Sequence, residues 1–309
     1  MAADEATAGK IPSASSSATA RWGLDESEFA FAQALDAALE ANVRAALVED
    51  LGRDGDRTGE LLSGDTIVDA QLIVREAAVL CGTAWFEGVM RHVDRGLQVQ
   101  WQMREGARLA SNDVVCRLHG PARSMLTGER GAMNFLQLLS GVATATRRYV
   151  DAIAQVQGNR AVIVDTRKTL PGLRLAQKYA VRVGGGRNHR LGLYDMILIK
   201  ENHIAAAGGV VAALRAASGK GVPVQIEVES IAQMEEAIAA GATSILLDNF
   251  TPSNLRSAVL ANRGRAVLEA SGGINLGTVQ EFAASGVDRI SVGGLTKDVR
   301  ATDYSLRVL

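Results

Sequence analysis

The chain has 309 residues, 47% hydrophobic and 22% charged, an ordinary globular composition that excludes general disorder and allows a sizeable core. Lys plus Arg number 33 against 34 Asp plus Glu, a net charge of −1, so no global attraction to nucleic acid or an anionic membrane is expected and any anion site is a local cluster. The length is more than one compact domain usually needs, and fits a β/α barrel with a smaller partner domain.

Residues 1 to about 22 (MAADEATAGKIPSASSSATARW) are rich in Ala, Ser and Thr without apolar periodicity and read as a disordered tail; Asp4, Glu5 and the scarcity of Arg argue against a transit peptide. From Asp25 to Val48 the apolar residues Phe29, Ala32, Leu35, Ala38, Leu39, Val43 and Leu47 recur at helical spacing, with Asp25 or Ser27 available as a cap. Strand-like runs follow at 67–80, 97–103 and 113–119, with a helix predicted over 83–94. Strands grouped with few helices predict an α/β sandwich domain over 23–140. A helical pattern runs from Pro121 to about Val156, and the domain junction is placed near Ser140 and Gly141, with residues 297–309 a candidate to pack back on the first domain.

The second half, 141–296, changes rhythm. Short apolar runs stand at 161–165, 196–200, 224–228, 244–248, 266–270 and 289–293, with helical segments between most of them, which is the spacing of βα units. Polar residues close each run: Asp165, Thr166, Arg167 and Lys168, then Lys200, Glu227 with Glu229, Asp248, Glu269 with Ser271, and Gly293 with Gly294. In a β/α barrel those ends meet at one face, where active sites lie.

The turns SGGIN (271–275) and SVGGLT (291–296) let backbone N–H groups approach an anion, and the last loops of such barrels commonly hold phosphate. Arg167, Lys168, His189, Arg190 and Lys200 in one cleft imply a polyanionic substrate; a single Arg or Lys taken alone is more often a solvated charge. Glu227 and Asp248 suit ribose hydroxyls or Mg²⁺, or they neutralise Lys200. His203 and His119 lack a second ligand at metal spacing, and GxGxxG, P-loop and GxSxG motifs are missing from the sequence. Cys81 and Cys116 sit in apolar settings and read as buried reduced thiols, which with the lack of a ~20-residue apolar span or a signal-like start makes a cytoplasmic enzyme the expectation.

The segments EDLGRDGDRTGELL (49–62), ERGAMNFLQLLSGVATATR (129–147), DTRKTLPGLRLAQKYAVRVGGGRNHRLGLYDMILIKENH (165–203), IEVES (226–230), LLDNF (246–250), EASGGI (269–274) and ISVGGLT (290–296) resemble the quinolinate phosphoribosyltransferases, a type II phosphoribosyltransferase family, over nearly the whole chain after the tail. The resemblance implies an N-terminal open-faced α/β sandwich and an incomplete α/β barrel, in a homodimer or larger homo-oligomer where one subunit's sandwich covers its neighbour's barrel mouth. It implies Arg130 as an arginine given across the interface to the quinolinate site, with Arg167, His189 and Arg190 as the remaining clamp and Thr166 supplying backbone. Lys168 and Lys200 would contact phosphate and pyrophosphate, Lys200 also reaching quinolinate. Glu227 and Asp248 would hold ribose hydroxyls and Mg²⁺, directly or through water. Ser271, Gly272, Gly273, Gly293 and Gly294 would cradle the 5′-phosphate of phosphoribosyl pyrophosphate. The sequence departs from the family where Thr often follows the Glu-Arg pair, since Gly131 stands there, and slightly in the loop RDGDRTGE.

The implied reaction joins quinolinate to the phosphoribosyl group with loss of CO₂, giving nicotinate mononucleotide for de novo NAD synthesis, with no organic cofactor. The nearest rival acts on nicotinate without decarboxylation, which needs fewer cations than Arg130, Arg167, His189 and Arg190 supply. A Schiff-base aldolase using Lys200 and a non-catalytic phosphometabolite sensor are the alternatives from other classes.

Overall fold

The computed structural model describes residues 19–309. Most of the tail predicted over 1–22 lies outside them; Thr19 to Trp22 are helical, and Trp22 is buried. Its ring packs at 5.2 Å from Trp85 and 5.0 Å from Tyr179, centroid to centroid, and its indole N–H donates to Asp36. Aromatic packing of this kind ties the start of the described chain to both halves of the molecule.

Asp25 caps a short 3₁₀ turn by accepting the Ser27 N–H, and helix α1 (Phe29–Leu51) follows, burying Ala32, Leu35 and Val43. The strand expected over 67–80 divides into β1 (Ile67–Val74) and β2 (Ala78–Val79). The C-terminal chain arrives at the break: Arg75 N–H donates to the Asp303 carbonyl, and the Glu76 carboxylate accepts the Asp303 N–H and pairs with Arg300. Helix α2 (Thr83–Val93), β3 (Gln98–Trp101), β4 (Arg108–Leu109) and β5 (Val114–Pro121) complete this half. A last strand far along the chain, called β12 (Tyr304–Val308) for its place in chain order, pairs antiparallel with β1, so the first sheet runs β12-β1-β5-β3, while β2 pairs with β4.

Helix α3 (Ala122–Ala154) runs unbroken through the junction expected near Ser140. Its central stripe, Leu136, Leu139, Val142 and Ala143, is fully buried, so one helix serves as a wall for both halves. At Gly141 an added Cβ would collide with the carbonyl oxygen of Arg300. Only glycine lets the returning C-terminal segment cross the helix there.

The remaining strands are β6 (Val162–Val164), β7 (Ile197–Ile199), β8 (Val224–Val228), β9 (Ser244–Asp248), β10 (Val267–Ser271) and β11 (Arg289–Ser291). All pair parallel, in the order β6-β11-β10-β9-β8-β7. Chain order therefore wraps round so that the last strand meets the first, while no ladder joins β6 to β7, and the barrel is incomplete at that seam. Between those strands come helix α4 (Arg174–Val183) and an irregular stretch whose Arg187 makes a single parallel bridge to Val164. Outside the sheet lie α5 (Glu201–Ala207), α6 (Val210–Ala217), α7 (Ile231–Ala239), α8 (Pro252–Asn262), α9 (Val279–Ala283) and α10 (Gly294–Lys297). No helix of the described residues is long and apolar enough to cross a membrane.

Candidate active site

Period-two alternation along the strands fixes which side chains share the barrel interior. On β8 these include Gln225 and Glu227, on β9 Leu246 and Asp248, and on β10 Glu269 and Ser271, with Ser271 level with Asp248 and Glu269 with Leu246. Lys200 follows β7 and donates through its ammonium to Glu227 at 2.8 Å, while its backbone N–H donates to His203 Nδ1. Past Ser271, a Cβ on Gly272 would come within 2.9 Å of the Asn249 backbone nitrogen and overlap its side chain. That close approach needs glycine, and it leaves the Asn249 amide free to donate to Asp248 at 2.7 Å.

The loop after β6 joins the second glycine turn. Thr166 Oγ1 accepts the Lys168 N–H at 3.1 Å, and a Cβ on Gly293 would stand 3.8 Å from Lys168 Nζ and 3.7 Å from Thr166 Oγ1. Buried Gln177 accepts the Leu170 N–H and donates to the Thr296 carbonyl, and the Thr296 hydroxyl donates to the Lys168 carbonyl. The stretch carrying Arg167 and Lys168 is thus bolted to the turn carrying Gly293 and Gly294.

The stretch between α4 and β7 carries the remaining cations. Lys178 on α4 forms a fully buried pair with Asp165, and Asp165 also accepts from Asn188 at 2.6 Å and from the His189 N–H at 2.8 Å. Burial pushes the Asp165 carboxyl up and the Lys178 ammonium down from their ordinary values, so the pair depends on these extra bonds. Arg190 lies next to Arg167, and burial first, then the Arg167 charge, hold its guanidinium below the usual arginine value against the pull of Asp195 and Glu227. The Arg167 Nε–H is buried without a partner. This stretch also walls a cleft of 1130 Å³ shared with Trp22, Arg104 and Arg182, which Lys168, Lys200, Glu227 and Asp248 do not line.

Two strand-end carboxylates predicted at the mouth are elsewhere. Asp165 and Glu269 are fully buried and consumed by internal partners, because Asp165 faces α4 and Glu269 lies one alternation below Ser271. Arg130 is exposed on α3 and, among the described residues, has no hydrogen bond or ion pair to the site. His119 pairs with Asp69 at 2.9 Å. Sequence reading missed Lys178, Asn188, Gln225 and Ser291 as supports; the shared strand parity of Gln225 with Glu227 was the available signal, whereas a lysine buried in LAQKYAV carries none.

A family model for the quinolinate phosphoribosyl transferase C-terminal domain matches residues 142–307, and one for the N-terminal domain matches 56–140. The chain belongs to the quinolinate phosphoribosyl transferase family. Among relatives, it is 40% identical over 264 residues to a probable nicotinate-nucleotide pyrophosphorylase [carboxylating] of Bacillus subtilis, covering 84% of this chain and 90% of that one. It is 43% identical over 272 residues to the nicotinate-nucleotide pyrophosphorylase [carboxylating] of Mycobacterium leprae, covering 85% and 95%. The solved nicotinate-nucleotide pyrophosphorylase of Francisella tularensis superposes with a TM-score of 0.85 at 42% identity, covering 88% of this chain and 96% of that one. Membership accords with a sandwich whose sheet is completed by the C-terminal strand and with a parallel barrel left open at one seam.

Proposed function

We infer that the protein transfers the phosphoribosyl group of phosphoribosyl pyrophosphate to quinolinate, releasing pyrophosphate and CO₂ and forming nicotinate mononucleotide for NAD synthesis. The observation that carries this is the neighbouring pair of guanidiniums, Arg167 and Arg190. Burial and then the Arg167 charge lower Arg190, and a buried Arg167 donor has no acceptor among the described residues. A dicarboxylate entering between them gives the Arg167 donor its acceptor and offers both guanidiniums charge-assisted bonds worth roughly 1.5–3 kcal/mol each.

The residues suit the chemistry in order. The pyridine nitrogen attacks the anomeric carbon as pyrophosphate departs, and the cationic character that develops on the ribose is favoured by carboxylates such as Glu227 and Asp248. Lys168 and Lys200 neutralise the leaving group. Ser271, Gly272, Gly273, Gly293 and Gly294 offer N–H groups to the 5′-phosphate. Once the nitrogen is quaternised, the adjacent carboxylate leaves as CO₂ because the pyridinium stabilises the carbanion left behind, which then takes a proton from water to give the product C–H, so no separate base is required.

Mg²⁺ is part of the proposal. No group of three or more His, Cys, Asp or Glu among the described residues could hold a metal by itself, but Glu227 and Asp248 on adjacent strands fit an ion that arrives with most of its shell made of phosphate oxygens and water. When bound it would supply charge neutralisation at the pyrophosphate. A homodimer or larger homo-oligomer is also proposed, supported by the exposed Arg130, which makes no hydrogen bond or salt bridge among the described residues and so suits a residue given to a neighbour's clamp. A cytoplasmic setting is supported by Cys81 and Cys116, unpaired thiols whose burial pushes their ionisation far up.

The test is release of labelled CO₂ from carboxyl-labelled quinolinate with phosphoribosyl pyrophosphate, with and without Mg²⁺. Turnover of nicotinate without CO₂ from quinolinate would overturn the reading.

A further inference from the structure

Inside the barrel a hydrogen-bonded chain runs away from the clamp. His189 Nε2 lies 2.8 Å from Gln225 Oε1, Gln225 Nε2 donates to Glu269 Oε2 at 3.1 Å, and the Ser291 hydroxyl donates to the other oxygen of Glu269. Gln225 and Glu269 are wholly buried and Ser291 nearly so. None of these three groups touches a reacting atom in the mechanism above.

The far end of the chain dictates its direction. A carboxylate only accepts, so Gln225 must turn its NH₂ to Glu269 and its oxygen to His189. An amide oxygen also only accepts, so His189 Nε2 carries a proton. At the other ring nitrogen the Arg190 backbone N–H donates to Nδ1 at 2.7 Å, so Nδ1 is bare. A proton on Nδ1 would set two N–H groups against each other. Both ring nitrogens are thereby committed inside the chain, Nε2 as a donor and Nδ1 as an acceptor, and a Glu269 oxygen also stands 3.5 Å from Nε2.

We propose that Glu269, acting through Gln225, is a positioning residue for the dicarboxylate clamp: it keeps the Gln225 oxygen on Nε2 and so fixes the plane of His189, whose Nδ1 anchors the backbone from which the Arg190 guanidinium reaches the substrate. The inference rests on the quinolinate reading above. His189 then serves the clamp through Arg190 rather than by offering a free nitrogen of its own.

The experiment is Glu269→Gln, close to isosteric, in protein labelled with ¹⁵N at its four histidines, the His189 ring signals being those lost in His189→Gln. Wild type is expected to show one protonated and one bare ring nitrogen. In Glu269→Gln the polarity of the chain is no longer enforced, so Gln225 can turn its NH₂ toward the protonated Nε2; the ring then loses its fixed plane and its ¹⁵N signals shift and broaden. Quinolinate Kd, measured without phosphoribosyl pyrophosphate, rises roughly tenfold, the loss of about one hydrogen bond, while kcat at saturation and KM for phosphoribosyl pyrophosphate stay within about twofold. Should Glu269→Gln fail to fold, Gln225→Met carries the same expectations. Ring signals like wild type with an unchanged quinolinate Kd would overturn the inference, as would equal weakening of both substrates together with a lowered Tm. A wild type that binds no quinolinate sinks the proposed function as well, whereas one that binds it beside an unaffected variant sinks this inference alone.

Discussion

Lys178 and Lys200 each hold a carboxylate, and the two pairs differ in everything except their chemistry. Lys178 with Asp165 is fully buried behind the barrel wall and is braced by Asn188 and the His189 N–H. Lys200 with Glu227 stands at the mouth, the lysine side chain 47% exposed and the carboxylate 14%. A buried pair gains from strong attraction in a low dielectric but has lost its water, so it persists only where further hydrogen bonds complete it, and losing one partner strands the other. A pair at the mouth contributes little to stability and stays exchangeable. Lys200 can leave Glu227 for a phosphate; Lys178 has nowhere to go. The same two residue types thus build a rigid support in one place and an exchangeable pair in the other.

The comparison breaks most visibly at Lys178. Lys178→Met should cost about 3–5 kcal/mol of stability by leaving Asp165 uncompensated, measured by denaturant unfolding, with the double variant Lys178→Met, Asp165→Asn less destabilised than the single one. A loss below about 1 kcal/mol would show that the pair is not a support. Lys200→Ala should do the reverse, lowering kcat/KM by about 10²–10³ while unfolding stays within about 0.5 kcal/mol of wild type. Equal stability losses at the two lysines would erase the distinction.

Arg167→Ala sharpens it within the mouth. Quinolinate binding should weaken by roughly 1–3 kcal/mol with affinity for phosphoribosyl pyrophosphate nearly intact, read by titration calorimetry with each substrate. Equal loss of both would mean that Arg167 serves the phosphates instead.

The smallest effect belongs to a carboxylate near the surface. Asp56 accepts from the Thr127 hydroxyl at 2.7 Å and from the Gly59 N–H at 2.8 Å, and these bonds, Thr127 first, hold its carboxyl below the ordinary range. A depressed folded-state value means the stabilisation is present above the ordinary carboxylate range and lost as pH falls through the lowered value. Asp56→Asn should therefore melt a few degrees below wild type near neutral pH, the gap closing in acid. A gap that persists unchanged at low pH would assign it to packing.

Much of the architecture was legible in residue patterns. The six apolar runs of the second half each become a parallel strand within a residue or two, because a strand buried on both faces must read as an unbroken apolar run. The polar residues after them mark the mouth because all barrel strands point one way. What the pattern could not separate was a carboxylate at the mouth from one buried away from it: Asp165, turned to α4, and Glu269, deeper in the barrel, close their runs as plainly as Asp248 does. Chain direction and side-chain parity decide that, and parity is certain only once the register is known.

By itself, the sequence determined the alternation of strands and helices, the two glycine turns and the set of cations, since these follow from local periodicity and from what backbone and charge permit. Only the tertiary structure decided that β12 returns to the first sheet, that the barrel is open between its first two strands, and that one lysine is a support while another is free to bind. Those outcomes depend on contacts between residues far apart in the chain, and on burial, which sets whether a charge stays with its partner or waits for a ligand.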